Sequence, residues 1–149
     1  MRYIWAAYKR GILKPIVQHV PAGLEVADFK KALLAFVGWV LERGGEVYVP
    51  LVRKGDAMIP GGLVAAHINP PYFEPHCIWF PEANARERLE LTLRFLIDMK
   101  ARFKVTIWAP DPDWKLFHHV CKYGVLRAVG KYRGFFPDGR DAMLFQGVN

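Results

Sequence analysis

Residues 76–108 read HCIWFPEANARERLELTLRFLIDMKARFKVTIW, and this stretch decides the fold. Tyr72 to Phe80 and Val105 to Trp108 are rich in apolar and β-prone residues, which predicts two strands. Ala85 to Arg102 predicts a helix, since apolar residues recur there every three or four positions. Those positions are Leu89, Leu93, Leu96 and Met99. Because two strands joined through a helix run parallel, the stretch predicts one parallel pair, 74–80 with 105–108.

Elements on both sides of this stretch extend it into a mixed sheet. The predicted helices are Val26–Arg43, ended by Gly44-Gly45, and Asp111–Tyr123, ended by Gly124. The predicted strands are Glu46–Val52, Gly61–Ile68, Val125–Lys131 and Ala142–Gln146, with a turn at Lys54-Gly55-Asp56. The fold class is therefore α/β in the broad α+β sense, a mostly antiparallel sheet with one parallel pair, flanked by helices. Residues 1–149 are expected to form a single domain, with residues 1–20 as a peripheral N-terminal segment.

The composition is that of a folded, basic protein. Of its 149 residues, 52% are hydrophobic and 14% aromatic, and the formal net charge is +7. This charge suits an anionic partner, but the sequence has no helix-turn-helix, zinc-finger or aromatic-plus-basic strand motif, so nucleic acid is not expected as the partner. The longest strongly apolar stretch, Ala32 to Leu41, is about half as long as a membrane-spanning helix, and the N-terminus lacks a signal-peptide pattern. A cytoplasmic protein without a membrane partner is expected.

The cysteines and histidines predict no metal site. Only Cys77 and Cys121 are present, with no CxxC motif. His118 and Cys121 share one face of a predicted helix, and one of His76 and Cys77 could join them, because neighbours on a strand point to opposite faces. Three ligands at unspecific spacing do not make a zinc site, so no metal is expected.

The loop before the long helix is a candidate anion site. Asn84 is a good N-cap, and Glu87 lies three residues later, the reciprocal position of a capping box. The backbone N–H groups of a first helical turn attract anions, and Arg86 and Arg88 could contact a phosphate. The loop PEANARER contains no glycine, the residue that lets an anion approach the backbone closely. An ordinary capped helix with a solvated charged face is the alternative.

Several segments together resemble the core of the GNAT acyltransferase superfamily. They are the strand PHCIWF, the loop PEANARER, the helix LELTLRFLIDMKARF and the strand KVTIWAP. The segment DWKLFHHVCKYGVLRAVGKY resembles the closing helix and strand of that superfamily. The resemblance covers about residues 25–147, rests on the order of elements, and is greatest to the GNAT-like proteins encoded by tailed phages.

The resemblance implies a GNAT-like fold that binds acetyl-CoA. The superfamily's loop holds the pyrophosphate, a role that falls here to Asn84, Ala85, Arg86, Glu87 and Arg88. Backbone groups of Ile78, Trp79 and Phe80 would contact the pantetheine arm. The resemblance further implies that the two parallel strands splay apart to admit that arm.

The resemblance also implies catalytic positions. The superfamily commonly uses a Tyr four residues before the final Gly of the closing helix, and Val120 stands there in this chain. Tyr123 and His118 are the alternatives for protonating the leaving thiolate. The general base could be His76, Glu82 or His67, although hydrogen-bonded histidines of a sheet are the plainer interpretation of the two imidazoles.

The sequence therefore supports two alternative functions. The first is an acetyl-CoA-dependent N-acetyltransferase that acts on a small-molecule or protein amine in the cytoplasm of a host cell. The second is a non-catalytic GNAT-fold protein of a phage virion or of its assembly, whose partners are phage structural proteins. The glycine-free loop and Val120 favour the second function, and the order of elements and the net charge favour the first.

Overall fold

The computed structural model describes residues 2–10, 23–110, 114–136 and 139–148. They form two compact units, one from residues 1–68 and 75–84 and the other from residues 69–74 and 85–149. Of the predicted peripheral segment 1–20, residues 2–10 are described, and residues 11–20 lie outside the described residues. The start of the predicted helix Asp111–Tyr123 and part of the loop 134–139 lie outside them as well.

The described residues of the first unit form two helices and five strands, the last of which is shared between the units. The helices are α1 (Arg2–Lys9) and α2 (Val26–Glu42). The strands are β1 (Glu46–Tyr48), β2 (Leu51–Lys54), β3 (Ala57–Pro60), β4 (Gly62–Asn69) and β5 (Tyr72–Trp79). Strand β1 pairs antiparallel with β4, while β2 and β3 form a separate antiparallel hairpin. The turn of that hairpin is the predicted Lys54-Gly55-Asp56, with Gly55 at a φ of +60°.

The prediction of one strand from Glu46 to Val52 is wrong. The chain leaves β1 after Tyr48 and starts β2 at Leu51, and the two strands belong to different sheets. Pro50 lies at the break, where it has no N–H to give to a ladder, and its carbonyl accepts the N–H of Gly61 at 2.8 Å. The partner strand β3 was not predicted, because AMIP is too short to show a period.

The helices of the first unit bury aromatic rings against β4 and β5. Phe29 of α2 is fully buried, and its ring centroid lies 4.4 Å from that of Tyr8 of α1. The Tyr8 hydroxyl accepts the N–H of Leu24 at 2.7 Å, which fixes the start of α2 to α1. Helix α2 ends as the sequence predicts, because Gly44 adopts a φ of +71° that a residue with a Cβ rarely takes.

The second unit contains the start of β5 and the rest of the chain. Its other elements are α3 (Ala85–Lys100), β6 (Lys104–Pro110), α4 (Trp114–Cys121), β7 (Leu126–Tyr132) and β8 (Ala142–Gly147). Strand β6 pairs antiparallel with β8, and β8 with β7. Phe73, Val120 and Phe145 are fully buried in its core. Helix α4 ends at Cys121, two residues before the predicted end, and a turn leads to Gly124 at a φ of +69°.

The predicted parallel pair is confirmed. Tyr72 and Phe73 of β5 pair in parallel with Lys104 and Val105 of β6, at the start of both strands. The six strands other than β2 and β3 form one mixed sheet in the order β1-β4-β5-β6-β8-β7. This confirms the predicted α+β fold class with a single parallel pair. Within the described part of the chain, no helix is long and apolar enough to cross a membrane.

Candidate active site

The strand end predicted to contact pantetheine belongs to the first unit and is tightly packed. Ile78 and Phe80 are buried in the core beneath the helices, and Trp79, whose side chain points to the opposite face, is half-buried. A Cβ on Gly62 would stand 2.6 Å from the Ile78 carbonyl oxygen and 3.0 Å from the Trp79 ring, so only glycine fits there. The strand end is therefore fixed against β4 with no room for adjustment.

The backbone groups of this strand end divide between its two edges. The N–H of Phe80 donates to the carbonyl of Gly61 at 2.9 Å, and the Ile78 carbonyl faces Gly62. Because backbone groups of successive strand residues point to alternate edges, the N–H and C=O of Trp79 point away from β4. The Trp79 indole Nε1 is also buried, with no hydrogen-bond partner among the described residues. Of Ile78, Trp79 and Phe80, the three residues predicted to contact pantetheine, Trp79 is therefore the one whose backbone N–H and C=O point away from β4.

The loop after this strand is short and is anchored at Ala83. The N–H of Ala83 donates to the Phe80 carbonyl at 3.1 Å, and the Ala83 side chain is fully buried beside Gly61. Glu82 is half-buried, while Asn84 is exposed. The anchor leaves Asn84 directly before the first residue of α3, where the sequence predicts an N-cap.

The first turn of α3 belongs to the second unit and is largely exposed. Helix α3 begins at the predicted residue, Ala85, with Arg86 exposed and Glu87 and Arg88 half-buried. Arg86 Nε donates to Glu90 Oε1 at 2.9 Å, one turn further along the helix. This hydrogen bond raises the pKa of the Arg86 guanidinium, which therefore keeps its charge at any physiological pH.

The base candidates His76 and His67 meet on the surface of the first unit. His76 precedes Ile78 by two residues and so shares its sheet face, beyond the edge of the buried core. Both imidazoles are exposed, and their ring centroids lie 5.8 Å apart at an interplanar angle of 90°. The structure therefore brings these two candidates together, whereas Glu82 lies in the loop after the same strand.

Sequence reasoning missed two residues that extend this histidine pair, Trp39 of α2 and Arg43, which directly follows α2. The Trp39 ring lies edge-on to His67, with centroids 5.5 Å apart. The Arg43 guanidinium stacks over Trp39 at 4.3 Å and donates a hydrogen bond to its carbonyl at 3.4 Å. The available signal was the spacing of Trp39 and Arg43, four residues apart on one helix face. Nothing in the linear sequence indicates that this face meets His67.

The candidates for protonating the thiolate are both exposed in the second unit. Tyr123 was predicted on the closing helix but lies in the turn after α4, where its N–H donates to the Val120 carbonyl at 3.1 Å and its side chain is 62% exposed. His118 lies on α4 and places its ring edge-on to Phe145, with centroids 5.2 Å apart. Val120, at the superfamily's tyrosine position, is fully buried.

The cysteines and the described residues that could bind a metal were also compared in position. Burial raises the pKa of the Cys121 thiol, so this side chain favours its protonated form. In the ranges that the structure describes, no three His, Cys, Asp or Glu side chains form a group that could hold a metal ion.

Comparison with known proteins gives similarity of structure and not of sequence. No protein-family model matches the chain, and no curated protein matches it. A chimera of the Vibrio cholerae spermidine N-acetyltransferase with hSSAT superimposes with a TM-score of 0.62 at 16% identity, covering 93% of this chain and 91% of that one. The ribosomal-protein-alanine N-acetyltransferase of Brucella melitensis gives 0.60 at 9% identity, covering 97% and 95%.

A third structure carries the superfamily's name. A probable acetyltransferase of the GNAT family from Chromobacterium violaceum gives a TM-score of 0.60 at 14% identity, covering 95% of this chain and 80% of that one. Identities this low establish the architecture and leave the chemistry open. With its single parallel pair and the helix α3 between those two strands, the chain has the fold of the GNAT acetyltransferases.

Proposed function

We propose that this protein is an N-acetyltransferase that transfers the acetyl group of acetyl-CoA to an amine. The observation that carries the proposal is the strand–loop–helix segment 76–100 within this fold. Strand β5 leads through five residues into α3, whose first turn presents Arg86 and Arg88. In the superfamily that this chain resembles, the same segment binds the cofactor.

The first turn of α3 has the chemistry to bind a pyrophosphate. The first N–H groups of a helix have no intrahelical acceptor, and the helix dipole favours negative charge beside them. Arg86 is paired with Glu90, but an exposed ion pair of this kind is weak, so Arg86 can exchange Glu90 for a phosphate. Because the loop has no glycine, its Cβ atoms limit the approach of an anion, and we expect weaker binding than glycine-rich loops give.

Trp79 is the residue we assign to the pantetheine arm. Its backbone N–H and C=O point away from β4, and an arm with amide groups can accept from the one and donate to the other. Ile78 and Phe80 then serve by packing, because their side chains fix the strand in the core.

Acetyl transfer requires one proton acceptor and one proton donor. The amine nitrogen bonds to the thioester carbon, the carbon–sulfur bond breaks, the nitrogen loses a proton and the thiolate gains one. We assign the acceptor to His76, since its imidazole is exposed and is oriented by a ring contact with His67. Tyr123 and His118 are the candidates for the donor, and their exposure allows either to reach a ligand.

Calorimetry with acetyl-CoA tests the proposal directly. We expect binding in the micromolar to millimolar range, and an absence of heat at about 1 mM would contradict the enzyme hypothesis. Arg86→Ala combined with Arg88→Ala should weaken binding about ten-fold or more, because two charge-assisted contacts are lost. Arg94→Ala is the control for each single substitution, since it removes one charge from the same helix about two turns further on. Unchanged affinity in the double variant would show that the phosphates bind elsewhere.

A non-catalytic protein of a phage particle is the alternative, and one observation favours it. Val120 is fully buried, so the superfamily's tyrosine hydroxyl is replaced by a core side chain and not by another polar group. A protein freed from catalysis could keep the fold as a scaffold for assembly. Co-purification of the chain with intact particles, together with no acetyl-CoA binding, would favour this alternative over the enzyme.

A further inference from the structure

One face of the sheet in the second unit carries a group of aromatic side chains built around Trp108, which is half-buried. Trp108 of β6 lies opposite Leu144 of β8, which lies opposite Gly130 of β7. Tyr132 lies two residues beyond Gly130, so its side chain points to the same face as Trp108. The two ring centroids are 5.1 Å apart at 68°.

A third ring completes this group. Phe135, in the loop after β7, stacks on Trp108 with centroids 4.3 Å apart and an interplanar angle of 6°. Tyr132 remains 43% exposed and Phe135 46% exposed. We call Trp108, Tyr132 and Phe135 the aromatic platform. Contiguous apolar patches on a protein surface often mark interaction sites.

The Asp141 carboxylate holds the start of the loop that carries Phe135. Asp141 Oδ1 accepts the N–H of Gly134 at 3.0 Å, and Oδ2 accepts from Lys131 Nζ at 2.9 Å. The hydrogen bond with Lys131, followed by that with Gly134, holds the pKa of Asp141 below its usual value. The carboxylate is therefore ionised at neutral pH and holds the start of the loop beside β8.

Guanidinium groups flank the platform. Arg127 pairs with Gln146, two residues from Leu144 on β8, so its side chain lies on the platform's face. Arg127 donates to Gln146 Oε1 at 3.2 Å. Gly130 lies between Arg127 and Tyr132 on β7 and has no side chain, so nothing projects from the sheet at that position. On the loop, the Arg140 guanidinium lies over Phe136 at 5.6 Å.

We propose that the aromatic platform binds single-stranded nucleic acid. Unpaired bases stack on aromatic rings whatever their sequence, and guanidinium groups beside the rings contact the phosphates. An apolar peptide would gain from the rings but would leave Arg127 without an anionic partner. The linear sequence shows no nucleic-acid motif because Trp108 and Phe135 come from separate segments, 27 positions apart in the numbering, and only the sheet brings them together.

Fluorescence anisotropy with a 5′-fluorescein-labelled (dT)15 oligonucleotide tests this proposal. At physiological salt we expect a dissociation constant of about 1 to 100 µM, the range of sequence-independent binding. Phe135→Ala should weaken binding about ten-fold, because one stacking surface is lost. Arg127→Ala should reduce the slope of log affinity against log salt by about 0.7, the value for one phosphate contact on a single strand.

Matched variants separate the platform from general charge and hydrophobicity. Phe135→Trp keeps a stacking ring and should retain the affinity of the unmodified chain. Ile97→Ala removes an exposed apolar side chain from α3, and Arg94→Ala removes an exposed charge there; neither should lower the affinity more than about two-fold. Equal losses in control and platform variants would overturn the proposal.

Two further outcomes would also overturn it. One is the absence of any anisotropy change at about 100 µM protein, and the other is competition by a polyglutamate of matched charge as effective as that by unlabelled (dT)15. The second outcome would identify the partner as an acidic protein surface. The proposal does not depend on acetyl-CoA, so calorimetry with the cofactor and anisotropy with the oligonucleotide succeed or fail separately.

Discussion

The carboxyl end of β5 and the first turn of α3 follow each other in the chain, but their side chains are packed very differently. At the strand end, Phe80 is fully buried, and Gly62 has no space for even one added carbon. In the helix turn, Arg86 is exposed and its hydrogen bond is to Glu90 of its own helix. The strand end is rigid, and the helix turn carries charge. Substitutions in the first should therefore change stability, and those in the second should change affinity.

The largest effect is expected at Phe80. Phe80→Ala removes a fully buried ring from the core of the first unit and should lower the free energy of unfolding by about 3 to 5 kcal/mol. Urea denaturation followed by far-UV circular dichroism measures the change. Leu34→Ala, at a 64% exposed position of α2, is the control and should change stability by less than about 0.5 kcal/mol. Similar losses in both variants would contradict the packing described for the strand end.

A smaller effect is expected at Gly62. In Gly62→Ala the new Cβ would meet the Ile78 carbonyl and the Trp79 ring, so the strands must shift, at a cost of about 1 to 3 kcal/mol. Gly38→Ala is the matched control, because a Cβ on Gly38 meets nothing within 4 Å. Since Gly38 lies within α2, the control should gain about 0.5 to 1 kcal/mol from helix propensity. The two glycine variants should therefore move the urea midpoint in opposite directions, and a shared direction would show that the Gly62 contact is relieved at no cost.

A substitution at the start of α3 should lower the free energy of unfolding less than Phe80→Ala or Gly62→Ala does. Asn84 directly precedes the helix, so Asn84→Ala should lower the free energy of unfolding by about 0.5 to 2 kcal/mol, as the loss of an N-cap does. Asn84→Ser, which keeps a capping oxygen, should retain most of that stability. If serine is as destabilising as alanine, Asn84 acts through another contact and not as a cap.

The segment 76–108 could be predicted from sequence because its signals are local. The apolar spacing of α3 and the capping residue Asn84 place the start of the helix correctly, and the alternation in β5 depends on immediate neighbours. The break between β1 and β2 was missed, since the β-prone residues run on through Pro50 and the change of sheet depends on distant partners. The aromatic platform and the contact between Trp39 and His67 were missed for the same reason. Trp108 and Phe135 are 27 positions apart, and Trp39 and His67 are 28 positions apart.

The smallest effect is expected for Glu90→Gln, which tests the contribution of charge in the first turn of α3. Glu90→Gln removes the carboxylate that engages Arg86, which frees the guanidinium for a phosphate and removes one negative charge near the proposed site. Acetyl-CoA should then bind about two- to three-fold more tightly by calorimetry, a gain typical of one exposed ion pair. Asp98→Asn, which neutralises an exposed carboxylate two turns further along α3, controls for the change in net charge alone. Tighter binding in Glu90→Gln but not in Asp98→Asn would place the phosphate beside Arg86, whereas equal gains would assign the effect to long-range electrostatics and remove Arg86 from the proposed site.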